Sequence, residues 1–205
     1  PAPRDFVLDI AAAPGGKTTH IAQLMGNRGA IVAVDVSRER MRALRTNIER
    51  MGVRNVVALR LDGRLVPKVF PDSFNKAILD APCSAEGLIQ VDRSRKTRTS
   101  IKDLVRLHST QVELLNAALN SVKGSGIVLY TTCSIAPEEN ELVVARVIEL
   151  REDVDVVRAP NIVDFTPGIT EYFGIKLPEE VSKCVRVFPH IHGMEGFFIC
   201  MLRKV

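Results

Sequence analysis

At 205 residues, 46% of them hydrophobic and 25% charged, the chain has the make-up of about one soluble globular domain with a substantial core. No apolar run approaches the ~20 residues that cross a bilayer, and the opening PAPRDFVLD does not read as a signal peptide. A net charge of +4 permits a polyanionic partner without demanding one.

The chain opens without a methionine and enters its first strand, FVLDI, almost at once, which raises the expectation of an N-terminal segment lying outside it. A glycine-rich turn then leads into a predicted helix around Lys17 to Met25. AIVAVD reads as the second strand. In the helix that follows, Ser37 to Met51, the residues Met41, Leu44, Ile48 and Met51 recur at three- and four-residue spacing as a buried face. NVVALRL is the third strand and KAILD the fourth. A helix from Ile101 to Val122 carries Leu104, Leu107, Leu114, Leu115, Ala118 and Val122 on its apolar side, and GIVLY forms the fifth strand. Pro137 suits a first helical position, with Glu138 and Glu139 at the positive end of the dipole of a helix reaching Leu150. VDVV and FFICMLR supply late strands, while the Pro- and Gly-rich stretch 158–183 receives no element. Seven strands alternating with helices imply an α/β fold whose mostly parallel sheet has helices on both faces.

Ligands in such sheets bind at the carboxyl ends of the strands, and Asp9, Asp35, Asp80 and Cys133 lie at or next to such ends. In the turn DIAAAPGGKTTH, Gly15 and Gly16 let backbone approach a ligand, and the helix N-terminus favours anionic or electron-rich groups. Two nucleotide readings compete. From Ala11 the spacing A-x-x-x-x-G-K-T departs from the phosphate-loop pattern only at its first position, with Asp80 as a magnesium-binding acid. The other reading is S-adenosylmethionine. Asp35, about twenty residues after the glycines, would accept hydrogen bonds from the ribose hydroxyls, and Asp62 would receive the adenine amino group.

Cys83 in LDAPCSAEG and Cys133 in YTTCS end two neighbouring strands. Transfer of a methyl group to C5 of a pyrimidine needs such a thiol, because that carbon is barely nucleophilic until a thiolate adds at C6. One cysteine attacks and a second assists release, while Asp80 is placed to hydrogen-bond the ring. Of the other cysteines, Cys200 in FFICML reads as a small core residue, and the scatter of the four suggests free thiols in a reducing compartment. No CxxC pair exists and the His190–His192 pair has no clustered companions, so no metal is expected. Cysteine hydrolases are a poor match, since no motif ties any of the four histidines to Cys133. A non-catalytic RNA-binding module would leave two thiols at strand ends unexplained.

AAAPGGKT, DAPCSAEG, TTCSIAPEENE and RVFPHIHGMEGFFICMLRK, in that order along essentially the whole chain, resemble the Nol–Nop–Sun family of RNA cytosine-C5 methyltransferases. The resemblance implies a Rossmann-like methyltransferase domain over 1–205, S-adenosylmethionine as methyl donor with S-adenosylhomocysteine as product, and an RNA substrate, tRNA or rRNA. It implies Cys133 as nucleophile and Cys83 as the release cysteine. Cofactor-binding positions carry over to Ala11, Ala12, Ala13, Pro14, Gly15, Gly16, Lys17, Asp35, Arg40, Asp62 and Asp80, with Lys17 and Asp80 also facing the target base. It further implies a cytoplasmic, or in a eukaryote nuclear or nucleolar, protein whose N-terminal RNA-binding extension is absent from this chain. Two departures stand out: Ala11 replaces a frequent cysteine, and SAEG replaces the commoner SGxG, so that Ala85 is expected to narrow the space beside Cys83. The basic stretch DRSRKTRT offers Arg93, Arg95, Lys96 and Arg98 to RNA phosphates, whereas Arg38, Arg42 and Arg45 read as a solvated helix face.

Overall fold

In the computed structural model, residues 1–160 and 165–205 are described; part of the unassigned stretch, 161–164, lies outside them. The chain forms two compact units. One comprises 1–80 with 116–128 and 204, the other 81–115 with 129–203 and 205.

The first unit runs β1 (Phe6–Ile10), α1 (Gly16–Leu24), β2 (Ala30–Asp35), α2 (Arg38–Arg50), β3 (Val56–Arg60), α3 (Val66–Val69) and β4 (Phe74–Asp80). Its strands lie in the order β3-β2-β1-β4, each neighbouring pair parallel. That places β1 centrally, and Val7, Leu8 and Ile10 are buried without alternation, as a parallel strand covered on both faces requires. The Ser37 hydroxyl caps α2 by accepting from Arg40 N at 3.2 Å. Met41 and Leu44 then enter a cluster with Ala12, Ala13 and Ala33, and Ile48 packs against it. Each large side chain so buried contributes ~1.5–3 kcal/mol. Met51 does not join that face. The helix ends at Arg50, Gly52 turns the chain away at φ 62°, and Met51 is 52% exposed.

The second unit holds α4 (Arg95–Arg98), the start of α5 (Ile101–Ser121), the end of β5 (Val122–Thr132), α6 (Glu141–Glu149) and β6 (Val154–Val157). It continues with β7 (Thr166–Pro167), β8 (Glu171–Tyr172), β9 (Ile175–Lys176), β10 (Val185–Val187), α7 (Pro189–His192) and β11 (Phe197–Lys204). Strand order here is β5-β11-β10-β7, with β6 also on β11, and β10 antiparallel to both neighbours. Alternate residues of β11, Phe198, Cys200 and Leu202, are buried, so Cys200 is the core residue its context suggested. All seven strands read from the sequence form. Four short ones, β7 to β10, come from the chain after Val157, and β8 and β9 make a separate hairpin.

The helix expected from Pro137 is interrupted. Pro137–Glu139 is a short 3-10 turn, and α6 starts only at Glu141. Asn140 makes the break because its side chain is committed to the preceding loop, accepting from Thr132 Oγ1 at 2.6 Å and donating to Ser134 O at 3.0 Å.

Candidate active site

In the first unit the glycine-rich turn is built around Gly15, which caps α1 at φ 104°, a left-handed conformation. A Cβ there would also stand 2.7 Å from Leu44 Cδ1, so that side chain would have to shift, but it is the left-handed backbone that requires glycine. The loop is braced from β2 and α2. Ala12 N donates to Val34 O at 2.9 Å, and Asn47 Nδ2 to Pro14 O at 2.9 Å. Asp35, its side chain 2% exposed, accepts from Ala13 N at 3.2 Å through one oxygen and from Ser37 N at 2.9 Å through the other. Arg40 bonds the Ala13 carbonyl and lies 3.6 Å from Asp35. Asp35 is therefore first a brace of the loop; a carboxylate has about four lone-pair sites, and those left over face any further donor.

Lys17 Nζ, in the first turn of α1, reaches Asp80 Oδ2 at the end of β4 at 2.6 Å, both side chains more than a third exposed. Beneath this pair, Asp9 is fully buried and takes the Thr18 hydroxyl at 2.5 Å on Oδ2, while its Oδ1 has no partner among the described residues. Burial pushes the Asp9 carboxyl up to about 7, against the pull of the Thr18 bond, and the nearby Asp80 charge adds to the rise. Asp62 contacts a residue that sequence reasoning did not pair with it. Arg64 donates Nε and Nη2 to both its oxygens at 2.6–3.1 Å and holds its carboxyl below the usual range.

The second unit brings Cys83 and Cys133 together, with Sγ atoms 3.2 Å apart and both side chains part-buried. The hydrogen bond to Cys133, reinforced by burial, drives the Cys83 thiol far above its ordinary range. At that distance the two thiols share one hydrogen bond in which either sulfur can be the donor.

What fixes the two thiol loops is a set of residues the sequence reading had mostly left unassigned. Glu139 is fully buried and accepts from Ser84 N at 2.9 Å, Ser84 Oγ at 2.5 Å and Gln111 Nε2 at 3.0 Å. Gln111 Nε2 also reaches Pro82 O at 2.9 Å. The buried Tyr130 hydroxyl donates to Glu139 O at 2.6 Å. Gln111 had a legible signal: it falls in phase with Leu104, Leu107, Leu114 and Ala118, a polar residue on an apolar stripe. Glu141 and Arg186, both buried, form a two-pronged ion pair, and Arg186 Nη1 donates to Ile135 O at 2.9 Å. Gly87 N donates to Cys133 O at 2.9 Å and Gly196 N to Gly87 O at 2.8 Å. A Cβ on Gly87 would stand 2.7 Å from Cys133 O and 2.2 Å from Gly196 O, so three backbone segments touch where only glycine fits.

Ala85 adopts φ 59°, a left-handed position that favours glycine, so the departure SAEG carries a backbone cost beside Cys83. Arg95 of the basic stretch is engaged locally, with Asp92 at 3.0 Å and Ser84 O at 3.2 Å, and so braces the Cys83 loop. His192 Nδ1 lies 2.8 Å from Phe188 N, a bond within its own turn.

The family model described as 16S rRNA methyltransferase RsmB/F matches residues 1–203. The 26S rRNA (cytosine-C(5))-methyltransferase nsun-1 of Caenorhabditis elegans is 39% identical over 210 residues, taking in 100% of this chain and 31% of that protein. Ribosomal RNA small subunit methyltransferase F of Erwinia tasmaniensis is 38% identical over 199 residues, 97% of this chain and 40% of that protein. Among solved structures, NSun6 from Pyrococcus horikoshii with SFG superposes with a TM-score of 0.84 at 37% identity, over 100% of this chain and 49% of that one. The chain thus spans less than half the length of these relatives.

Proposed function

The chain belongs to the 16S rRNA methyltransferase RsmB/F family, and from that premise we propose that it transfers a methyl group from S-adenosylmethionine to C5 of a cytidine in rRNA. Its fold is the Rossmann-like methyltransferase fold the sequence had suggested. The family membership leaves the phosphate-loop reading without support, and Lys17, which that reading assigns to phosphates, pairs with Asp80.

The residues present fit the methyl donor. Nothing lies within 4 Å of where a Cβ on Gly16 would stand, so the turn leaves room at the N-terminus of α1. Asp9 keeps an unpartnered buried oxygen, and Asp62 and Asp80 stay partly exposed as acceptors. In this reading Ala11 to Lys17, Asp35, Arg40, Asp62 and Asp80 hold the donor, whose sulfonium supplies an electrophilic methyl group. The target base must be unpaired or flipped to reach such a site.

The single observation that carries the chemistry is the 3.2 Å approach of the two thiols. Cys133 as thiolate adds to C6 of the cytosine, which makes C5 nucleophilic toward the methyl group. After transfer, a base removes the C5 proton and elimination releases Cys133, which takes up a proton again. Cys83, its Sγ 3.2 Å from that of Cys133, is the group placed to assist that release. Roles follow that a gel can read. With substrate RNA and S-adenosylmethionine, Cys83→Ala should accumulate a ribonuclease-sensitive covalent complex of retarded mobility in denaturing electrophoresis, and Cys133→Ala should form none and lose methyl transfer. An adduct with Cys133→Ala but not with Cys83→Ala would reverse the roles; methylation by both without an adduct would remove the thiols from the reaction.

A further inference from the structure

Four arginines line one shallow cavity of about 310 Å³ on the first unit: Arg38, Arg42 and Arg45 of α2 and Arg60 of β3, with Met41 as the remaining lining residue. In the sequence the first three pass for a solvated helix face. The fold changes that by adding Arg60. Strand register sets Arg60 opposite Asp35, and its Nε donates to Val36 O at 3.3 Å, so its guanidinium is tied beside the start of α2.

None of the four makes an ion pair among the described residues, and no carboxylate lines the cavity. Arg40, between them in sequence, differs: it is the one turned to Asp35 and Ala13. The arrangement opposes local helix stability twice over. Arg38 puts a cation at the first position of α2, on the positive end of its dipole, and the 38/42 and 42/45 spacings set like charges side by side on one face. A concave surface that holds four fork-shaped cations and no acid matches closely spaced phosphates, which guanidinium binds in a bidentate manner.

We propose that this cavity is a phosphate-binding site for the RNA backbone, separate from the residues assigned to the methyl donor and to the thiols. The inference rests on the RNA methyltransferase reading for its choice of polyanion. Its contacts are to phosphates, so it positions RNA without reading sequence and its contribution falls with salt.

The test uses the full chain and a fluorescein-labelled single-stranded oligoribonucleotide, with affinity followed by anisotropy across a salt series. The variant replaces Arg38, Arg42, Arg45 and Arg60 together by Gln. A control removes the same charge elsewhere on the unit, from the exposed Arg28, Arg54, Lys68 and Lys123. The cavity variant should bind at least about tenfold more weakly at low salt and flatten the log–log salt slope by about 1–3 units, the control by clearly less. Its melting shift with S-adenosylhomocysteine should match wild type, which shows the fold and donor site intact. Equal weakening in variant and control would reduce the cluster to net charge and overturn the site. Loss of polyglutamate binding with RNA binding unchanged would assign it to an acidic protein partner instead. A wild-type chain that binds no RNA overturns it outright. If wild type methylates RNA and the variant binds RNA as well as wild type, the site fails while the methyltransferase reading stands. If RNA binds through the cluster but no methyl is transferred, that reading fails and the site stands.

Discussion

Glu139→Ala tests whether the buried carboxylate between the thiol loops holds them in place. Its three side-chain donors are Ser84 N, Ser84 Oγ and Gln111 Nε2. Two have somewhere else to go: Ser84 Oγ lies 3.2 Å from Ser134 Oγ, and Gln111 Nε2 keeps Pro82 O at 2.9 Å. The Ser84 amide has no such alternative among the described residues. One orphaned buried donor costs about 1–3 kcal/mol, and the cavity left by a fully buried side chain adds to it. The expected loss is about 3–4 kcal/mol, or roughly 10 °C in Tm for a chain of this size. Glu139→Gln keeps the volume and an oxygen for the Ser84 amide, and should lose only about 1 kcal/mol. Urea melts give the stabilities. Disulfide-exchange rates with an aromatic disulfide then read the thiols, and both cysteines should react faster in Glu139→Ala while Glu139→Gln stays near wild type. A Glu139→Ala chain within about 1 kcal/mol of wild type, with unchanged thiol reactivity, would refute the reasoning.

Two further outcomes follow from single residues. Asp9 keeps its proton in the folded state up to about 7, whereas unfolded it would release it above 3.8. The unfolded chain therefore binds fewer protons between those values, and this residue's contribution to stability falls as pH rises through that window. Asp9→Asn, neutral throughout, should be about 1–3 kcal/mol more stable than wild type near pH 8 and lose that advantage near pH 4, as read by denaturant midpoints at the two pH values. Ala85→Gly relieves a left-handed alanine at φ 59°. The melting temperature should rise by about 2–4 °C, for a gain of about 1 kcal/mol, and a fall would place the strain elsewhere.

Much of this molecule could be read from local pattern. Strands buried on both faces show as unbroken apolar runs, and FVLDI and AIVAVD need no partner in view to be recognised. Gly15 was legible for a similar reason, because a strand-to-helix turn at φ 104° demands glycine whatever surrounds it. The Pro-Cys and Thr-Cys motifs likewise drew notice as residue types that strand ends rarely need for packing, and the fold brings their two thiols within 3.2 Å. What stayed hidden was whatever depends on a partner distant in sequence. Glu139 looked like a helix-dipole residue until Ser84 and Gln111, 55 and 28 residues away, closed on it. Arg38, Arg42 and Arg45 looked like a solvated face until β3 set Arg60 beside them. Sequence alone determined the backbone's periodicity and which side chains carry thiols, carboxylates and guanidinium groups, since both follow from local sterics and side-chain chemistry. Only the tertiary structure decided which polar groups are satisfied and which charges stand together, because hydrogen bonds and Coulomb forces act over a few ångströms of space, whatever the separation along the chain.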